Sequence, residues 1–132
     1  MHINQKILEK YPLVKMDNEL DYYILAKKRY LLLLDDLVNK DCVEAVLNKI
    51  QEETNNSKFS EWKTVIVVGE TEDVFTKEEL FYFNGVNTFV VFYLVDLQKN
   101  KIFMNDSWIF AMGCNFRKYV RKINEIITHE RQ

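Results

Sequence analysis

The sequence predicts an α/β layer sandwich: a mixed sheet of three to four strands with helices packed on it, in the order α-α-β-α-β-α-β-β-α. Three observations carry this reading. Residues 88–95, TFVVFYLV, are almost all β-branched or aromatic, which fits a strand covered on both faces at the centre of a sheet. Thr64 to Val68, TVIVV, has the same character. Phe116, Tyr119, Val120, Ile123, Ile126 and Ile127 then recur at intervals of three or four, the core-facing stripe of a long C-terminal amphipathic helix.

The elements follow in order. Ile3 to Tyr11 reads as a short helix stopped by Pro12. Asn18 to Arg29 reads as helical, with Leu20, Tyr23, Ile24 and Lys27 on one side. Tyr30 to Leu34, ending in Asp35 and Asp36, fits a buried strand. It also fits the second half of one long helix, because Tyr23, Ala26, Tyr30, Leu33 and Leu37 keep helical spacing. The helical alternative would make the fold α+β with a three-stranded sheet. Asp41 and Glu44 resemble a capping box before the stripe Val43, Val46, Leu47 and Ile50. Glu52 to Ser60 is polar and expected as a loop. Gly69 is expected to end the strand at Thr64 to Val68, and the acidic loop Glu70, Glu72 and Asp73 follows. Thr76 and Glu79 form a second capping box for a short helix, stopped at Asn84-Gly85. The turn Gln98-Lys99-Asn100 returns the central strand as a hairpin through Lys101 to Met104.

The chain of 132 residues is expected to be a single globular domain, residues 1–132. It is 48% hydrophobic and 29% charged, against the composition of a disordered chain. Only three Gly and one Pro break it, so short loops are expected. Eighteen basic against twenty acidic residues leave a net charge of −2, no global pull toward nucleic acid or anionic lipid. Cys42 and Cys114 lie far apart and form no CxxC or zinc spacing. The N-terminus lacks the apolar core of a signal peptide, and no run approaches the roughly 20 apolar residues of a membrane span. A soluble, cytoplasmic protein with reduced cysteines is the expectation.

Short stretches resemble known patterns. YLLLLDD, residues 30–36, looks like the acidic first strand of receiver domains. VIVVGETED and the later YLVD look like the toprim pattern of nucleotidyl-transfer enzymes. Each covers a handful of residues. Gly69 stands where the toprim glutamate belongs and no Asp-x-Asp pair follows, so neither family is assigned.

Two sets of residues are candidate sites. Trp108, Phe110 and Met112 crowd a non-periodic stretch, and Phe81, Tyr82 and Phe83 are consecutive on an expected helix, so an aromatic surface is expected. Arg117, Lys118, Arg121 and Lys122 share the outer face of the last helix by spacing and oppose its macrodipole near the N-terminus, a setting for an acidic partner or an anion. The second set is acidic. If the three buried runs are parallel strands, Asp35, Asp36, Glu70 and Asp96 stand at their carboxyl ends, where open α/β sheets bind ligands. Such carboxylates would suit Mg²⁺. The favoured expectation is a non-enzymatic protein-interaction module: a small subunit, an immunity protein or an inhibitor. A divalent-metal phosphotransfer or nuclease enzyme is the first alternative. Anion or nucleic-acid binding by the basic helix is the second.

Overall fold

Alternation along residues 88–96 explains the architecture. Val90, Phe92 and Leu94 point to one side of the sheet, and Val91, Tyr93 and Val95 to the other. All six are buried, so both faces need a cover. The computed structural model describes residues 2–10, 14–15, 22–26, 29–56, 63–83, 88–105 and 121–128. Among them are α1 (His2–Lys10), β1 (Val14–Lys15), β2 (Tyr22–Ala26), β3 (Arg29–Leu33), α2 (Lys40–Asn56), β4 (Lys63–Glu70), a 3-10 turn (Glu78–Leu80), β5 (Phe81–Phe83), β6 (Thr88–Asp96) and β7 (Lys101–Phe103). A last helix, α3, covers residues 121–128.

The result is an α/β fold with a mixed sheet between helical layers. Sheet order is β1-β2-β3-β4-β6-β5, with β7 also on β6. The parallel pairs are β3–β4 and β4–β6, in the registers Leu33↔Val68 and Val68↔Tyr93. The outer pairs are antiparallel. On one face, α2 supplies Val43 and Ile50 against Leu32, Val65, Val67, Val90, Phe92 and Leu94. On the other, Ile7 of α1 and Ile123, Ile126 and Ile127 of α3 lie on Leu31, Leu33, Ile66, Val68 and Tyr93. The Tyr93 hydroxyl donates to Asn124 Oδ1 at 2.5 Å, fixing α3 to the sheet centre.

Both β5 and β7 share the edge of β6 that β4 leaves open. Phe81–Phe83 pairs with Phe89–Val91, and Lys101–Phe103 with Leu94–Asp96. The two short strands lie in line along that edge, with Phe92 and Tyr93 between their registers. Asn105, just past β7, donates from Nδ2 to the carbonyl of Lys77, just before the 3-10 turn, at 2.9 Å. Asn100 takes the left-handed turn of the β6–β7 hairpin with φ 57°, a conformation asparagine tolerates better than most residues.

Several expectations are corrected. The sheet is wider than three to four strands, and the element order differs from the one expected. The described part of Asn18 to Arg29 is strand, β2 and the first residue of β3, not helix. Tyr22 and Tyr23 bury against opposite faces, and β2 pairs antiparallel with β3. Helical spacing and strand alternation coincide over so few residues, and the neighbouring strand decides between them. Arg29–Leu33 is a strand, so the α+β alternative with a three-stranded sheet falls. α2 runs on through Asn56 where a loop was expected from Glu52; Glu, Thr and Asn carry only small helix penalties and, unlike Gly or Pro, do not by themselves stop a helix. Its N-cap is Asn39, whose Oδ1 accepts from the Cys42 N–H at 2.9 Å, rather than an Asp41–Glu44 box. Gly69 lies inside β4. Thr76 and Glu79 open a single 3-10 turn rather than a helix, since Phe81–Phe83 finds the vacant edge of β6. Of the final helix expected from Asn115 to Glu130, residues 121–128 are described and are helical.

Candidate functional site

The parallel registers bring the carboxyl ends of β3, β4 and β6 to one edge, as the acidic-site expectation required. Backbone bonding continues past the strands. The Leu34 N–H donates to Val68 O at 3.0 Å, the Val38 N–H to Glu70 O at 2.8 Å, and the Thr71 N–H to Val95 O at 2.9 Å. The segments 34–39, 71–77 and 97–100 therefore leave the sheet side by side. Buried Thr71 ties the first two together. Its hydroxyl donates to Val38 O at 2.6 Å and accepts from the Asp73 N–H at 3.0 Å. Asp73 in turn accepts the Lys40 N–H at the start of α2, at 3.2 Å.

The second loop is pinned over the α2 face. Phe75 is buried and meets the Phe103 ring edge-on at 6.2 Å. Lys40 lies 5.9 Å from the Phe75 ring centroid and 3.3 Å from a Glu79 carboxylate oxygen. Glu79 also accepts the Thr76 N–H at 3.0 Å. That bond, with help from the Thr76 hydroxyl and the Lys40 ammonium, holds the Glu79 carboxyl below its ordinary range.

The four acidic candidates reach this edge without converging. Asp35 and Asp36 are exposed, Glu70 is half-buried, and Asp96 is 2% exposed. Asp35 accepts from Asn4 Nδ2 at 3.3 Å, and Asp96 accepts the Lys99 N–H at 3.0 Å, which shapes the β6–β7 turn. β4 stands between β3 and β6. That places the Asp35–Asp36 end about 10 Å from Asp96, two strand spacings. Oxygen ligands of one Mg²⁺ or Ca²⁺ lie within about 2.0–2.6 Å of the ion. Among the described residues, no three His, Cys, Asp or Glu gather closely enough to hold a metal ion.

Of the expected partner surface, Arg121 and Lys122 are exposed on α3, on the side away from buried Ile123, Ile126 and Ile127. Trp108, Phe110, Met112, Arg117, Lys118 and Cys114 lie outside the described residues. Phe81 and Tyr82 are not a helical patch. They alternate on β5 and pack against opposite core clusters, with Gln51 Nε2 donating to the Tyr82 hydroxyl at 2.8 Å. Cys42 is half-buried, its thiol 3.8 Å from Leu37 O.

The carboxyl edge carries a feature the sequence reading passed over. Four large apolar side chains are exposed among the described residues: Ile24, Leu37, Val74 and Leu97. Leu37, Val74 and Leu97 are 53%, 61% and 41% exposed, and they stand in the three segments that leave this one edge. Each directly follows an aspartate: Asp36-Leu37, Asp73-Val74 and Asp96-Leu97. That repeated pair after each buried strand was the available signal. The chain matches no family model and has no significant match among curated proteins or solved structures.

Proposed function

We propose that this chain is a protein-interaction module whose contact surface is the carboxyl edge of the parallel strands. The observation that carries the reading is the placement of Leu37, Val74 and Leu97 in three adjacent loops at one edge. An isolated exposed aliphatic residue is ordinary on a protein surface, whereas several gathered on one side, rimmed by charge, mark a contact. Thr71, Asp73 and Asn39 hold the first two loops and Asp96 shapes the third, so the surface is largely formed before a partner arrives and little ordering entropy opposes binding. A preformed edge of apolar and charged side chains suits a small subunit, an immunity protein or an inhibitor better than it suits catalysis.

The test is capture from the native host with the intact chain and with a Leu37→Asp, Val74→Asp variant of unchanged melting temperature. The expected result is a stoichiometric protein retained by the intact chain and lost by the variant. Equal capture by both, or capture by neither together with a monomeric chain, overturns the reading.

A further inference from the structure

Charge along the edge is not uniform. At the β3–β4 end, Asp36 and Glu72 are exposed beside Leu37 and Val74, and the exposed Lys40 there is paired with Glu79. At the hairpin end, Lys99 and Lys101 are exposed beside Leu97. β3 and β7 are separated by β4 and β6, with Asp96 of β6 opposite Lys101. Three strand spacings put Asp36, after β3, about 14 Å from Lys101 of β7, while Glu72, after β4, stands about 10 Å from it. The Debye length at physiological salt is about 8 Å, so Asp36 and the two lysines are largely screened from each other within one chain. A uniformly basic partner would be repelled at Lys99 and Lys101, and a uniformly acidic one at Asp36 and Glu72. The complementary surface carries the opposite split with an apolar middle.

One surface with that split is the same edge turned through half a rotation. We propose that the carboxyl edge pairs with a second copy of this chain about a two-fold axis, which rests on the reading that this edge is an interface. An isologous contact sets each patch against its symmetry mate, so a bipolar edge becomes self-complementary. Asp36 and Glu72 of one copy then face Lys99 and Lys101 of the other, twice per dimer. The aliphatic side chains between them, Leu37 and Val74 from one copy and Leu97 from the other, exclude water from the contact. Exclusion of water strengthens the charge pairing above its worth at an open surface.

Sedimentation equilibrium of the full chain, across micromolar concentrations and at low and moderate salt, tests this. The expected result is a concentration-dependent dimer weakened by salt. An acid-reversed variant (Asp36→Lys, Glu72→Lys) and a base-reversed variant (Lys99→Glu, Lys101→Glu) should each dimerise at least about tenfold more weakly, since like charges meet across the axis. Mixed one to one, they should associate with each other, because a wholly basic edge then meets a wholly acidic one. Both variants should still unfold cooperatively, the acid-reversed one near the wild-type temperature because its side chains are exposed, the base-reversed one somewhat lower because Lys101→Glu stands opposite Asp96. A wild-type chain that is monomeric throughout overturns the proposal, as do variants that dimerise like wild type or fail to pair with each other. A monomeric chain that still loses a captured partner when Leu37 and Val74 are changed overturns the dimer and leaves the edge as an interface.

Discussion

Gly69→Ala probes how tightly the loop after β3 closes on β4. A Cβ at Gly69 would lie 2.9 Å from Val38 Cγ2, with Leu34 Cβ at 3.5 Å. Non-bonded carbons prefer about 3.5–4.0 Å, so one of the two must retreat by roughly 0.6 Å or more. Val38 has little room to do so. Its N–H donates to Glu70 O at 2.8 Å, its carbonyl accepts from the Thr71 hydroxyl at 2.6 Å, and its side chain is buried in the α2-face core. Its branched side chain is also stiff about χ1. Overpacking of this kind costs about 1–3 kcal/mol. Replacing glycine in a strand recovers about 0.5–1 kcal/mol of backbone entropy. The difference is a net loss of about 0–2.5 kcal/mol, and the fixed position of Val38 puts it in the upper part of that range, about 1–2 kcal/mol, a fall in melting temperature of roughly 3–8 °C for a chain of this size.

The assay is equilibrium urea unfolding of the wild type, Gly69→Ala, Val38→Ala and the double variant. Val38→Ala alone loses packing but opens the space the new methyl needs. The double variant should then be more stable than the two single losses predict, with a coupling of about 1 kcal/mol. A Gly69→Ala chain as stable as wild type, or a cycle without coupling, would refute the close approach of Val38 as the reason for glycine here.

Two further outcomes follow from the same edge. Thr71→Val keeps the shape but leaves the Val38 carbonyl and the Asp73 N–H without their partner, and should lower unfolding stability by about 1–3 kcal/mol in the same urea titration; an unchanged midpoint would mean that the hydroxyl does not join the loops. Glu79 is held below its ordinary range first by the Thr76 N–H, so its contribution to stability is present above the unfolded value and lost as pH falls through the folded one. Glu79→Gln should therefore show a shallower loss of melting temperature on acidification than wild type, in melts taken from neutral pH down through the carboxylate range; parallel curves would refute the shift.

What could be read from the residues depended on whether a segment's cover was local. β4 and β6 were legible because both faces of each are buried, and an unbroken run of Val, Ile and Phe declares that by itself. Short β2 and β5 were not. YYILA and FYF satisfy either period over so few residues, and what selects the strand is a partner far along the chain: β3 for one, the vacant half of β6 for the other. The 3-10 turn shows the same competition. Glu79 does accept the Thr76 N–H as a capping pair should, yet pairing with β6 captures the chain from Phe81 onward.

The candidate site divides along the same line. The acidic-site expectation was conditional on parallel strands; β3, β4 and β6 are parallel, and Asp35, Asp36, Glu70 and Asp96 stand at their carboxyl ends. Convergence on an ion is a finer condition, set by strand order. With β4 between β3 and β6, the ends stand two strand spacings apart, and the Asp96 carboxylate accepts the Lys99 N–H of its own turn. The aliphatic residue after each aspartate was visible in the sequence, but its exposure was not. In a loop that folded back, Leu37 or Val74 would have filled the core. Here Thr71, Asp73 and Asn39 use the backbone groups of those loops, and Val38 and Phe75, the next apolar residue in each case, take the buried positions. Within each pair only one side chain faces the core, and the hydrogen bonds of the loop decide which one is left exposed.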